Sequence, residues 1–122
     1  DTGVVELIPY SVPIEGYTIS KPIAQVNSDG SNTITWVVSG DSTPIDHFII
    51  FSEVSSIKAP IGTTVNLESG RVFSYRDNKT AGLVGTKTYT VIPVLSNFNI
   101  GAESESVSIT KRLEIPRYEV VE

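Results

Sequence analysis

The stretch Leu83–Val94 (LVGTKTYTVIPV) constrains the fold more than any other part of the chain. Its first half is predicted to be a turn, because Gly82 and Gly85 permit backbone angles that are closed to other residues. From Lys87 onward polar and apolar residues alternate with a period of two, which is the pattern of a half-buried strand. The stretch therefore predicts a turn that leads directly into a strand of a β-sheet.

Tyr89 lies where this strand enters the predicted core, and a buried tyrosine hydroxyl needs a hydrogen-bond partner. In two-sheet sandwiches a tyrosine at such a place hydrogen-bonds to the backbone upstream and fixes the corner. We therefore predict that the Tyr89 hydroxyl bonds to the upstream backbone. Val91 is predicted to join Tyr89 in the core, and Leu83 to plug the end of the core beneath the turn.

Further short segments have the composition of strands, and turn residues separate them at intervals of about 8–12 residues. These segments are 21–26, 33–38, 45–51, 57–65, 71–77 and 102–110, with 57–65 predicted to be only a short edge strand. No segment has the period of a helix. The pattern predicts an all-β fold, an antiparallel sandwich of two sheets with about seven strands.

The predicted core is built around the single tryptophan. Trp36 shares the apolar face of its segment, and core filling is its predicted role, with an exposed binding tryptophan as the alternative. Phe48 and Ile50 share one face of the next strand, while Ile49 and Phe51 share the other. A strand that is apolar on both faces is covered on both faces. We expect the leading segment or a neighbouring domain to cover the second face.

Composition bounds the class of protein. The chain has 122 residues, which predicts one domain, and it has no cysteine, which excludes disulfides and thiolate metal sites. The net charge is -5 and the nine basic residues are scattered, so no basic stripe for nucleic acid is visible. No apolar run approaches the roughly 20 residues that span a bilayer. We expect neither nucleic-acid binding nor membrane insertion.

No constellation of residues points to catalysis. His47 is the only histidine, and no cysteine, serine elbow or second histidine accompanies it. The segment 27–32 (NSDGSN) is typical of a hairpin turn, and its spacing does not match an EF-hand loop. The fourteen acidic residues leave a glycosidase pair as an alternative. We predict no metal, no cofactor and no enzymatic activity.

The two ends of the chain differ from its middle. Residues 1–20 and 112–122 are rich in apolar side chains and are interrupted by prolines, which predicts extended flanks around a domain of residues 21–111. The leading flank is predicted to be a linker or a strand associated with a preceding domain. The chain contains no methionine, and we expect it to be a fragment of a longer protein or a processed product.

Residues 21–111 resemble a fibronectin type III domain. The residues that carry the resemblance are Pro22, Trp36, Phe48, Ile50, Leu83, Tyr89, Val91, Gly101, Ser104 and Ser106. The resemblance implies a Greek-key sandwich and an extracellular spacer or adhesion module that is strung in tandem. Pro93 within the sixth strand and the long region between the third and fifth strands depart from the family pattern.

The loop before the last strand lacks the Arg-Gly-Asp of the family's integrin-binding members. The composition of the whole chain, which is free of cysteine and methionine and rich in Thr, Ser and Asn, resembles that of modules of bacterial surface and secreted proteins and of phage virions. The expected function is a structural spacer, at a virion or cell surface, that contacts neighbouring domains or other copies. The alternative is a module that binds a host-surface glycan or protein through Asn97, Phe98, Asn99 and Ile100, unless Phe98 packs back onto the sandwich.

Overall fold

The computed structural model describes residues 16–66, 71–80 and 84–112. These residues form eight strands and one short 3-10 turn, Asn78–Thr80, without an α-helix in the described ranges. The strands are β1 (Tyr17–Ile19), β2 (Ile23–Val26), β3 (Asn32–Gly40), β4 (Ile45–Val54), β5 (Ile57–Val65), β6 (Val72–Asp77), β7 (Gly85–Leu95) and β8 (Val107–Lys111).

The strands build two antiparallel sheets, which confirms the predicted all-β sandwich. In the first sheet β3 is central, with β1 and β2 along one side and β6 along the other. The second sheet has the order β5-β4-β7-β8. The Ser20 N–H donates to Val37 O at 2.9 Å, so β1 and β2 form one edge strand that is interrupted at Lys21 and Pro22. Proline has no N–H to continue the ladder.

The paired region starts earlier than the predicted domain boundary. Tyr17 is buried and pairs with Gly40, whereas the sequence placed Tyr17–Ile19 in the leading flank. Most of the two predicted flanks, residues 1–15 and 113–122, lies outside the described residues.

The core lies between the sheets and is closely packed. Trp36, Phe48, Ile50, Tyr89 and Val91 are almost completely buried, together with Ile34 and Val38 from β3. The ring of Trp36 meets Phe48 edge-on at 5.4 Å and stacks on Phe73 at 6.3 Å. Leu83, the predicted plug of the core, lies outside the described residues.

Residues 52–65 are more regular than predicted. β4 and β5 form a long hairpin whose turn is Ser55-Ser56, both with positive φ (52° and 67°). Such turns are usually recognised by Asn-Gly or Asp-Gly, and serine gives no such signal. The register shifts so that Ile50 pairs with Gly62 and Phe51 with Pro60, which leaves Ile61 as an extra residue. The ladder therefore continues past the proline.

Gly62 is required where the two sheets meet. A Cβ atom at this position would clash with the ring of Tyr75 on β6. The Tyr75 hydroxyl donates to Ile61 O at 2.9 Å, and the Thr64 hydroxyl donates to Ser74 O at 3.1 Å. These contacts join β5 of the second sheet to β6 of the first. We call this junction the β5–β6 seam.

The sandwich has two distinct ends. Asp41 N–H donates to Gly16 O and Ser96 N–H donates to Pro44 O, so Gly16, the loop 41–44 and the start of the β7–β8 loop, residues 96–100, meet at one end, the Gly16 end. β7 runs from the opposite end, where Gly85 pairs with Lys111 and the β4–β5 turn also lies. This is the Arg112 end.

Candidate functional site

The loop between β7 and β8 has a tight tip at the Gly16 end. Phe98 N–H donates to Leu95 O at 2.9 Å, and Leu95 N–H donates to Asn99 O at 2.7 Å. The side chain of Asn97 accepts the Asn99 N–H at 3.0 Å. Four residues thus hold one another in place, and the backbone conformation of the tip is defined by its own hydrogen bonds.

Phe98 occupies a position that favours glycine or asparagine. Its φ is +69°, in the left-handed region, and 90% of its surface is exposed to solvent. The alternative in which Phe98 packs back onto the sandwich is therefore wrong. Ile100, two residues on, is 67% exposed, so the tip presents two apolar side chains to solvent. Packing in the described structure explains neither of them.

A polar cleft lies beside this loop. It has a volume of about 430 Å³ and is formed where the segments 42–46, 65–66 and 96 approach one another. Its lining residues are Ser42, Thr43, Ile45, Asp46, Val65, Asn66 and Ser96. Three separate segments contribute, so no single stretch of sequence predicts the cleft. Sequence reasoning identified the Phe98 loop but missed this neighbour.

Asn66 organises the cleft and leaves one acceptor free. Its Nδ2 donates to Ser42 O at 3.1 Å and to Ile45 O at 2.7 Å, which ties β5 to the β3–β4 loop. Its N–H donates to Asp46 O at 3.2 Å. The Oδ1 atom is buried and has no hydrogen-bond partner among the described residues. Burying an unpaired acceptor costs free energy.

Asp46 lines the cleft, and Asp41 precedes the lining residue Ser42 in the chain. The Thr43 hydroxyl and backbone N–H donate to Asp41, and these bonds hold the pKa of the Asp41 carboxyl below its ordinary value. Asp46 lies 2.7 Å from His47 Nδ1, which gives the only histidine a local hydrogen-bonding role. The carboxylate of Asp46 is exposed at the rim of the cleft.

A second polar group is buried at the Arg112 end. The Tyr89 hydroxyl donates to Asp77 Oδ2 at 2.7 Å and accepts from Asn32 Nδ2 at 2.8 Å. A hydroxyl has one proton, and here it goes to a carboxylate. The prediction of a backbone acceptor for Tyr89 is therefore wrong, because a buried charged acceptor is closer at hand. The same oxygen of Asp77 accepts from Lys87 Nζ at 2.6 Å.

The pKa values in this group follow from burial and pairing. Burial alone would raise the pKa of Asp77, but the hydrogen bonds from Lys87 and Tyr89 outweigh it and lower that pKa. Burial raises the pKa of Tyr89 well above its ordinary value, opposed by the bond from Asn32 and assisted by Asp77. Both groups thus keep their ordinary protonation states at neutral pH. The arrangement braces the fold and presents no reactive group.

Removing the Tyr89 hydroxyl tests this arrangement. We expect Tyr89→Phe to lower the free energy of unfolding by about 1–2 kcal/mol, since Asp77 and Asn32 each lose a buried partner. Urea denaturation followed by tryptophan fluorescence measures the change. A cost near zero would mean that the hydroxyl contributes nothing to the corner.

The turn 27–32 behaves as a structural turn in the described residues. The Ser31 hydroxyl and N–H donate to Asp29 Oδ1, and these bonds, with Arg76 nearby, lower the pKa of Asp29 to about 2. Across the described ranges no group of three His, Asp or Glu side chains is placed to hold a metal ion. None of the helical segments described is long and apolar enough to cross a membrane.

The outer face of the second sheet carries Ile49 and Phe51, for which a cover was predicted. Both are half-buried, and Lys58 Nζ lies 5.7 Å from the centre of the Phe51 ring. Lys58 also pairs with Glu103 at 3.1 Å, so a charged bridge from within the chain passes over this face.

Three hydroxyl pairs join β7 to the segment containing β8: Thr86 with Thr110 and Thr88 with Ser108, each at 2.8 Å, and Thr90 with Ser106 at 3.0 Å.

Comparison with known proteins identifies the fold and leaves the family open. No protein-family model matches the chain, and no curated protein sequence matches it significantly. Among solved structures, pectate lyase PelI from Erwinia chrysanthemi in complex with tetragalacturonic acid is similar, with a TM-score of 0.55 and 18% identity. The match covers 77% of this chain and 28% of that one. A β-1,2-glucanase from Parabacteroides distasonis matches with a TM-score of 0.54 and 22% identity, over 88% of this chain and 14% of that one.

These likenesses show a shared fold alone. The chain spans less than a third of either protein's length. The class that the fold defines is a β-sandwich unit, similar to parts of larger proteins.

Proposed function

We propose that this chain is a non-catalytic structural module of a larger multidomain protein, of the kind found in phage virions and on bacterial surfaces, and that it contacts its neighbours through its two ends. The module is of fibronectin type III character with Greek-key connections. The chain moves from the first sheet to β4 and β5, returns for β6, and ends in β7 and β8, an order that supports this assignment.

The observation that carries the proposal is the distribution of exposed apolar side chains. Phe98 and Ile100 are exposed at the Gly16 end, while Val54, Ile57 and Val84 are exposed at the Arg112 end. The described chain enters at the first end and leaves at the second, so adjoining domains would meet these two surfaces. The similar solved structures support modular use, because the matched part is a small share of each chain.

Sedimentation velocity of the full chain tests the spacer role. We expect a monomer from micromolar to millimolar concentrations, because a spacer makes its contacts with parts of a parent protein. A defined oligomer that also persists in Phe98→Ala would contradict the proposal and indicate an assembly protein held together by its sheet faces or edges.

A second candidate function is binding of a host-surface glycan or protein through the Phe98 loop. The observation in its favour is the conformation of Phe98. An aromatic residue that is kept exposed in the left-handed region lowers stability by about 1 kcal/mol without a packing gain. Exposed aromatic side chains of this kind are common anchors of binding interfaces.

Replacing Phe98 separates this role from a structural one. We expect Phe98→Ala to change the free energy of unfolding by less than about 0.5 kcal/mol, as for other exposed positions. Ile23→Ala, on the exposed face of β2, is the matched control. Thermal unfolding of both variants measures the effect. A loss near the cost of a core substitution would show that Phe98 packs on the sandwich in solution.

A further inference from the structure

We infer that the polar cleft at the Gly16 end is a binding site for a neutral oligosaccharide, with Phe98 as the surface on which a sugar ring stacks. The inference rests on the proposed binding role of the Phe98 loop and names the class of ligand. Four observations carry it: the shape of the cleft, its free acceptors, its charge and the adjacent aromatic ring.

The cleft and the aromatic side chain are connected through the β7–β8 loop. Ser96 lines the cleft, and its hydroxyl donates to Pro44 O at 3.2 Å, which holds the base of the β7–β8 loop against the β3–β4 loop. Phe98 follows two residues later at the tip of the same tight turn. A volume of about 430 Å³ lies in the range of small-ligand sites.

The cleft is rich in hydrogen-bond acceptors. The exposed carboxylate of Asp46 lies at the rim, and Ser42, Thr43 and Ser96 add hydroxyl oxygens to the lining. A carboxylate accepts several hydrogen bonds, and among the described residues that of Asp46 has one contact, to His47. A ligand that offers many donors, such as the hydroxyl groups of a sugar, satisfies these acceptors.

The charge of the cleft selects among sugars. Its described lining residues include Asp46 and neither lysine nor arginine. A uronate in the cleft would bring its carboxylate close to Asp46, and the described lining offers no lysine or arginine to pair with it. Neutral sugars are therefore favoured over galacturonate, the sugar acid that occupies the similar pectate lyase structure.

Isothermal titration calorimetry of the full chain tests the inference. The probes are cellotetraose, a β-1,2-linked glucotetraose and tetragalacturonic acid. We expect saturable binding of at least one neutral tetrasaccharide and no binding of tetragalacturonic acid. Phe98→Ala and Asp46→Asn should each weaken binding about tenfold, since one removes the stacking surface and the other a charged acceptor.

Matched controls exclude general effects of the substitutions. Ile23→Ala removes an exposed apolar side chain from another face, and Glu105→Gln removes an exposed carboxylate outside the cleft. Both should bind the sugar as the natural chain does. Unchanged thermal unfolding of Asp46→Asn shows that the cleft is intact.

Three results would overturn the inference. The first is the absence of saturable heat with both neutral tetrasaccharides. The second is that tetragalacturonic acid binds at least as tightly as the neutral tetrasaccharides. The third is that Phe98→Ala and Asp46→Asn leave the affinity for the neutral sugar unchanged. None of these results bears on the proposed spacer role, because sedimentation velocity tests that role separately. If no sugar binds but a protein partner does, and its binding depends on Phe98, the second candidate function is kept and only the oligosaccharide inference is rejected.

Discussion

Replacing Trp36 by alanine should lower the free energy of unfolding by about 3–5 kcal/mol, as expected for a large aromatic side chain in a core. Only 1% of its surface is exposed, and its ring is held between Phe48 and Phe73. The two phenylalanine rings also contact each other at 4.8 Å, so removing the indole leaves a cavity that this rigid cluster fills poorly. Urea denaturation followed by far-UV circular dichroism measures the change.

Trp36→Phe is the informative control for this prediction. The indole Nε1 is buried and has no hydrogen-bond partner among the described residues. Phenylalanine keeps most of the volume and removes an unsatisfied donor, whose burial costs about 1–3 kcal/mol. We expect Trp36→Phe to cost far less than Trp36→Ala. Equal costs would contradict the assignment and indicate that the indole N–H has a partner.

The second large effect is expected at Asp77. Asp77→Ala should lower the free energy of unfolding by about 3 kcal/mol or more, because it leaves the mostly buried ammonium group of Lys87 without a counter-charge. The side chain of Asp77 is 4% exposed and that of Lys87 is 18% exposed. Tyr89 loses its acceptor at the same time.

The double variant Asp77→Ala with Lys87→Met distinguishes lost charge pairing from lost volume. Removing the unpaired charge should recover part of the stability that Asp77→Ala loses. Chemical denaturation of both single variants and the double variant completes the cycle. If Asp77→Ala alone lowers the free energy of unfolding by less than about 1 kcal/mol, the Asp77–Lys87 pair contributes no more stability than a surface ion pair. The buried network then does not brace the corner.

The same group predicts how stability depends on pH. The pKa of Asp77 is lower in the folded chain than its ordinary value of 3.8. Its stabilisation is therefore fully present above that ordinary value and is lost as the pH falls through the lower, folded pKa. Denaturation midpoints measured from neutral pH downward should fall in this acidic window. The loss should be smaller in Asp77→Asn, which has no carboxylate to protonate.

The core is predictable from the sequence for a local reason. Trp36, Phe48 and Tyr89 each lie on the apolar face of an alternating segment, and alternation depends only on nearest neighbours. Pro93 is compatible with the strand because β8 pairs only with residues 85–89 of β7, and beyond them Pro93 contributes its carbonyl oxygen, which accepts from Gly101 N–H at 2.9 Å.

The partners of these residues are less predictable, because they come from distant parts of the chain. The acceptor of Tyr89 is 12 residues away and its donor, Asn32, is 57 residues away. The Ser55-Ser56 turn lacks the residues that usually mark its type. The sequence predicts the Phe98 loop as a contact surface, but the exposure of its side chains and the cleft beside it depend on how three segments meet.

The β5–β6 seam has a consequence for growth of the sheets into fibrils. An edge strand with free carbonyl groups is a template on which a strand from another molecule can add. Here Ile61 O is occupied by the Tyr75 hydroxyl and Ser74 O by the Thr64 hydroxyl, while Pro60 supplies no donor. An incoming strand finds no continuous ladder along β5 or β6. This side of the sandwich is therefore a poor template for amyloid growth.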